Sequence, residues 1–157
     1  MKKLLLPLIL GFLFFHHEAS AQNYDNAAGL RLGWGFGGTI KHFFDDSKAV
    51  EGIFQIGGLY ARYAQVTGLF QVHRPLEDVA PGLQWYFGGG GFIGFFSGVY
   101  STRSTRIGIA GNIGLDYTFD DIPLNVSLDW VPGIAIVGFG SGFGAGSGGG
   151  LAVRYIF

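Results

Sequence analysis

The 157-residue chain is 48% hydrophobic and only 13% charged, with a formal net charge of −1 and no cysteine. This balance lacks the basic excess that nucleic-acid binding draws on, and the missing thiols exclude disulfides, thiolate metal sites and lipoprotein processing. The charged share is about half that of an average soluble domain, so the chain is either an unusually apolar soluble β-protein or a protein with a membrane for solvent.

The chain opens with Lys2 and Lys3, an apolar run from Leu4 to Phe15, a polar step through His16, His17 and Glu18, and then Ala19-Ser20-Ala21. Charged head, short apolar core and small-x-small ending together predict a secretory signal peptide over residues 1–21, cleaved before Gln22. The apolar run falls short of the roughly 20 residues that a membrane helix needs. Residues 22–157 form the expected barrel domain, and no stretch of them is apolar and continuous enough to be a spanning helix. Much apolar surface without such a helix points to strands that close on themselves, because only closure satisfies every backbone polar group in lipid.

Eight strands are predicted, in chain order, over Ala27 to Phe36, Thr39 to Phe44, Val50 to Gly57, Ala64 to His73, Leu83 to Phe95, Arg106 to Phe119, Leu124 to Val137 and Gly149 to Phe157. The clearest is Ile107 to Phe119, where Ile107, Ile109, Ile113, Leu115, Tyr117 and Phe119 alternate with Gly108, Ala110, Asn112, Asp116 and Thr118. Leu124, Val126, Leu128 and Trp130 continue the alternation after an Asp120-Asp121-Ile122-Pro123 turn, which makes a long hairpin. The run Gly88 to Gly91 lies inside the fifth strand and marks a bend or close packing. The glycine-rich stretch Gly138 to Gly148 is predicted as a loop joining the last two strands. In the closing Leu151 to Phe157, Leu151, Val153, Tyr155 and Phe157 share one face, while Ala152, Arg154 and Ile156 share the other. The expected fold is all-β, an eight-stranded antiparallel up-and-down transmembrane β-barrel.

Such a barrel has an interior just wide enough to be filled by side chains. The alternation assigns to it Arg31, Lys41, Glu51, Gln55, Thr67, Gln71, Gln84, Asn112, Asp116, Asn125, Ser127, Asp129 and Arg154. Three cations (Arg31, Lys41, Arg154) then face three anions (Glu51, Asp116, Asp129), and they must pair because unpaired burial is costly. Arg154 is expected opposite Asp116 or Asp129. The set reads either as a conducting or catalytic constellation or as a plug that fixes strand register. The plug is favoured, since structural ion pairs perturb pKa values as readily as active sites do.

Chemistry beyond that has little support. After cleavage only His42 and His73 remain, with no ligand spacing for a metal. Gly140-Ser141-Gly142 and Gly146-Ser147-Gly148 do not have the spacing of a nucleophile elbow. Ser127 or Ser141 with His73 is the remaining candidate pair for lipid hydrolysis. No enzyme activity, cofactor or metal is expected. The aromatic residues, among them Trp34, Tyr60, Tyr63, Trp85, Trp130 and Tyr155, fall near predicted strand ends, where interfacial girdles form.

The signal peptide, the eight alternating segments, the ending LAVRYIF and the segment Ile122 to Gly133 (IPLNVSLDWVPG) together resemble small bacterial outer-membrane barrels of the OmpA/OmpX-like, porin-like class, barrel domain only. The resemblance implies the outer membrane and an assembly signal, including Tyr155 and Phe157, that the barrel-assembly machinery reads. It implies no single activity, because the class holds structural proteins, adhesins, narrow channels and lipid-acting enzymes. With both termini periplasmic, the periplasmic turns carry Asp45-Asp46, Glu77-Asp78 and Asp120-Asp121, while Arg62, Arg103 and Arg106 fall on the outward side. Guanidinium suits phosphate, so these arginines are candidates for lipopolysaccharide contact. The expected partners are outer-membrane lipid, lipopolysaccharide, the assembly machinery and an unidentified surface ligand. The expected function is structural or surface-interacting with a filled lumen; the alternatives are a narrow pore or a lipid-modifying enzyme.

Overall fold

The structure, a computed structural model, describes residues 25–57, 61–98, 104–138, 142–143 and 148–157; the signal-peptide segment lies outside these. The strands are β1 (Asn26–Gly33), β2 (Phe36–Asp45), β3 (Lys48–Gly57), β4 (Ala61–Pro75), β5 (Leu83–Gly98), β6 (Ser104–Thr118), β7 (Leu124–Val131), β8 (Gly133–Gly138), β9 (Gly142–Phe143) and β10 (Gly148–Ile156). Every pairing is antiparallel. Each of β1 to β6 pairs with the next, β6 pairs with both β7 and β8, and β10 pairs with β7 and β1, so the sheet closes into an eight-stranded up-and-down barrel. Closure leaves no edge along the ring, which answers the backbone hydrogen-bonding problem in lipid.

Pro132 divides the seventh strand into β7 and β8, where the alternation predicted one strand from Leu124 to Val137. Proline carries no N–H for a ladder. Its carbonyl still accepts from Gly111 N at 2.8 Å, and the β6–β8 register shifts between Ile107 and Gly108. Gly142 and Phe143 pair with Ala135 and Ile134 as the short β9. Part of the glycine-rich stretch predicted as a loop is therefore drawn into the sheet.

The run Gly88 to Gly91 sits within β5 as expected. A Cβ on Gly88 or Gly90 would run into the carbonyl oxygens of Phe70 and Gly68 on β4, so glycine permits the close approach of these two strands. At one end of the barrel, β2 and β3 are joined by a tight turn in which Asp45 accepts from Ser47 N at 2.9 Å, Lys48 N at 2.8 Å and Lys48 Nζ at 3.0 Å. The Lys48 ammonium, helped by the Ser47 amide and hydroxyl, holds the Asp45 carboxyl well below the usual carboxylate range. Both described chain ends lie at this same end, with Phe157 N donating to Asn26 O and Phe43 N to Asp25 O.

Burial follows the pleat. Leu30, Ile40, Phe54, Val66, Phe70 and Ile109 point outward and are about half exposed, while their strand neighbours are buried or half-buried. This inverts a soluble protein, in which the apolar face meets a second layer, and matches a barrel whose apolar band faces lipid. Outward aromatics gather near strand ends: Phe44, Tyr155 and Phe157 at the terminal end, and Trp34, Phe36 and Phe95 at the other. Trp85 stacks on Phe87 at 5.4 Å, and Tyr117 meets Phe119 edge-on at 4.8 Å.

Candidate functional site in the barrel lumen

All six charged residues assigned to the interior are there, each at most 5% exposed. They come from six strands: Arg31 from β1, Lys41 from β2, Glu51 from β3, Asp116 from β6, Asp129 from β7 and Arg154 from β10. Three cations and three anions balance, and hydrogen bonds satisfy the remaining oxygens. This is the condition under which buried ion pairs are tolerated.

Arg31 grips Asp129 with both terminal nitrogens, Nη1 at 2.9 Å and Nη2 closer still. The Tyr86 hydroxyl donates to the same carboxylate at 2.8 Å. The fork of a guanidinium matches a carboxylate in this bidentate geometry. A second group surrounds Glu51, which accepts from Arg154 Nη2, from the Thr39 hydroxyl and from Gln71 Nε2 at 2.6 Å. Arg154 Nη1 also donates to Asn125 Oδ1 at 3.0 Å and Ser127 Oγ at 2.8 Å. Lys41 Nζ donates to Asp116 at 2.8 Å, stands 3.9 Å from Glu51, and lies 4.5 Å from the centre of the Tyr86 ring.

The expected partner of Arg154 was Asp116 or Asp129; the structure corrects this to Glu51. Asp116 is paired with Lys41 and Asp129 with Arg31, so neither carboxylate is left for Arg154. Strand order alone could not decide this, because the shortest pairs join residues on non-adjacent strands.

His73 is fully lodged in the lumen between Phe43, with ring centres 4.8 Å apart, and Tyr86, at 4.7 Å. Its Nδ1 is 3.1 Å from Gln84 Oε1 and its Nε2 is 3.3 Å from Gln71 Oε1. Gln71 must turn its amide nitrogen to the Glu51 carboxylate, which can only accept, so its oxygen faces His73 and Nε2 carries a proton. Both ring nitrogens thus face glutamine side chains, while Ser127 Oγ accepts from Arg154. No Ser127–His73 pair forms, and Ser141 lies outside the described residues. Among the described residues no group of three or more His, Cys, Asp or Glu is arranged to hold a metal ion.

Beyond the network, toward the end that carries the Trp34–Gly35 turn, the lining changes. The next inward residues after Glu51, Gln71, Asn112 and Asp129 are Ile53, Leu69, Ala110 and Val131, and with Phe92 and Ala135 they form the one buried apolar cluster among the described residues. A space of about 20 Å³ follows, lined among others by Ile53, Val131, Gln55, Gln65, Thr67 and Tyr63. It has room for a single water. At the mouth, Tyr63 donates to Trp34 O at 2.8 Å and stacks on Phe96 at 5.7 Å, and the Arg106 guanidinium lies 4.1 Å over Phe96. Arg106 thus belongs to the inward-facing set of β6; Arg103 and the side chain of Arg62 lie outside the described residues. Tyr155 and Phe157 are on the outer surface, more than half exposed.

The sequence reading missed Thr39, Gln65, His73 and Tyr86 as lumen residues. The signal for them was present, since each lies two positions from an assigned one (Lys41, Thr67, Gln71 and Gln84) and so on the same face. The apolar cluster was missed because Ile53 and Leu69 look like lipid-facing residues until the parity of their strands is applied.

Fold and lumen define a class: a small antiparallel membrane-type barrel with a lipid-compatible outside and a charge-balanced, side-chain-filled inside. No family model and no curated protein sequence matches the chain. Solved structures do. The N-terminal β-barrel domain of Pseudomonas aeruginosa OprF aligns over 87% of this chain and 100% of its own, with a TM-score of 0.68 at 16% identity. Ail, the attachment invasion locus protein of Yersinia pestis, solved with the heparin analogue sucrose octasulfate, aligns over 84% of this chain and 96% of its own, with a TM-score of 0.46 at 16% identity. The OprF likeness agrees with the resemblance to small outer-membrane barrels at the level of fold.

Proposed function

We propose that the protein is an integral barrel of the bacterial outer membrane with a structural or surface-interaction role, a filled lumen, no enzyme activity and both termini in the periplasm. The observation that carries this reading is the pairing of Arg31, Lys41 and Arg154 with Glu51, Asp116 and Asp129 in a buried interior. The Ser127 hydroxyl is engaged by Arg154 and His73 faces Gln71 and Gln84, so the one candidate hydrolytic pair is not assembled. Outer-membrane lipid surrounds the apolar belt, and the barrel-assembly machinery reads the strand ending in Tyr155 and Phe157. Arg62 and Arg103 contribute cations toward lipopolysaccharide phosphates, and Arg106, turned into the mouth, toward any surface ligand.

The test is planar-bilayer recording of the refolded mature chain. A silent, fully folded barrel is the expected result. Reproducible single-channel steps would replace the filled lumen with a narrow pore.

A further inference from the structure

We infer that the seal of this barrel is the apolar layer of Ile53, Leu69, Phe92, Ala110, Val131 and Ala135, and that the ion pairs beside it set register and stability rather than closure. The inference rests on the filled-lumen reading and says which part of the filling stops ions.

Its first support is placement. On four strands the residue two positions beyond a network member, always in the same axial direction, is apolar: Glu51 to Ile53, Gln71 to Leu69, Asn112 to Ala110 and Asp129 to Val131. The layer therefore spans the lumen next to the network instead of lining one wall. Its second support is shape. On β10 the inward positions in that direction from Arg154 are Ala152 and Gly150, and on β2 Gly37 follows Thr39, all buried, so the large side chains of β3, β4 and β5 fill the section against strands with little side-chain bulk. The Phe92 ring lies over its direct partner Gly108 on the adjacent β6, in the place a Cβ there would take.

The third support is chemical. Water can solvate every member of the network if a pair separates, and an ion entering there meets carboxylates, guanidinium groups and amides. Within the layer nothing replaces a hydration shell. Even the two hydroxyls paired beside Ile53, those of Thr39 and Thr67, are engaged with Glu51 and Gln65. Apolar constrictions of this kind exclude ions by staying dry.

The experiment compares folded wild type with three double variants in planar bilayers, with heat-modifiable mobility as the check on folding. Ile53→Thr/Val131→Thr makes the layer wettable with the loss of a single side-chain heavy atom, at position 53. Leu69→Ala/Phe92→Ala widens it, and the threonine pair carries the test if the alanine pair does not fold. Arg31→Met/Asp129→Asn removes one ion pair and leaves the layer intact. The layer variants are expected to gain discrete conductance steps that wild type lacks, and the ion-pair variant to remain as silent as wild type. Folded but silent layer variants, or a conducting ion-pair variant, would overturn the inference while the filled-lumen reading stands. Conductance in wild type would instead remove that reading, and the inference with it.

Discussion

Arg31 reaches Asp129 across a strand whose residue 150, the direct partner of Asp129, is glycine. A Cβ there would stand 2.5 Å from Cζ of Arg31 and 2.8 Å from its Nε. Gly150→Ala should therefore push the guanidinium off its carboxylate and cost about 1–3 kcal/mol, as overpacking does elsewhere. Urea unfolding of the barrel in vesicles measures this, and an unchanged midpoint would contradict it. Arg154→Met removes one partner of Glu51 and leaves a buried carboxylate short of a cation, a change expected to cost about 3–5 kcal/mol. Adding Glu51→Gln should recover much of that loss, so a double-mutant cycle would read a coupling between the two residues. Additive losses would show that the pair is incidental. At this scale the sequence was legible as membership: every charged lumen residue could be named from parity. It was not legible as partnership, because which long side chain meets which depends on strand tilt and on the glycines that clear its path.

Elements carry their own tests. In the β2–β3 turn, the folded-state carboxyl of Asp45 lies below its unfolded value of about 3.9. Its contribution is therefore fully present above that unfolded value and is lost as pH falls through the folded one. Asp45→Asn keeps the turn geometry and removes the charge. Wild type should hold a small, constant advantage over the variant above about pH 5, shrinking in acid. An advantage that grows in acid would show the opposite sign. At the other terminus, deleting Phe157 should reduce the amount of heat-modifiable barrel in membranes far more than deleting Ser141 does; equal amounts would contradict a role in assembly. Strand positions followed from alternation, and the hairpin from Ile107 to Trp130 lies where the pattern put it. The break at Pro132 did not, because alternation continues across it in side-chain parity even though the ladder is interrupted.

For the molecule as a whole, the apolar exterior predicts that the mature chain, refolded without detergent or lipid, aggregates, and that it gains cooperative unfolding only with an apolar solvent around it. A monomeric, soluble, folded chain in buffer would sink the membrane reading. Whole-molecule closure was the most legible level of all: an even number of strands and an uncovered apolar face leave few other architectures.

The seam where the chain's two ends meet has an uneven character that bears on how the ring can shut. Across β1 and β10 the inward residues are Ala27, Gly29, Gly150 and Ala152, with Arg31, Arg154 and, at the terminal end, Ile156 as the larger exceptions. Bulky interior side chains belong to the strands between. A curled sheet from β2 to β7 can thus assemble its contents first, and the final zippering brings together two nearly smooth strands whose arginines swing in as latches. Because the chain has no native cysteine, cysteines at the outward pair Leu30 and Val153 can time that event against the pair Phe70 and Gly89. The terminal pair should crosslink later during refolding, and simultaneous capture would show that the ring shuts all at once.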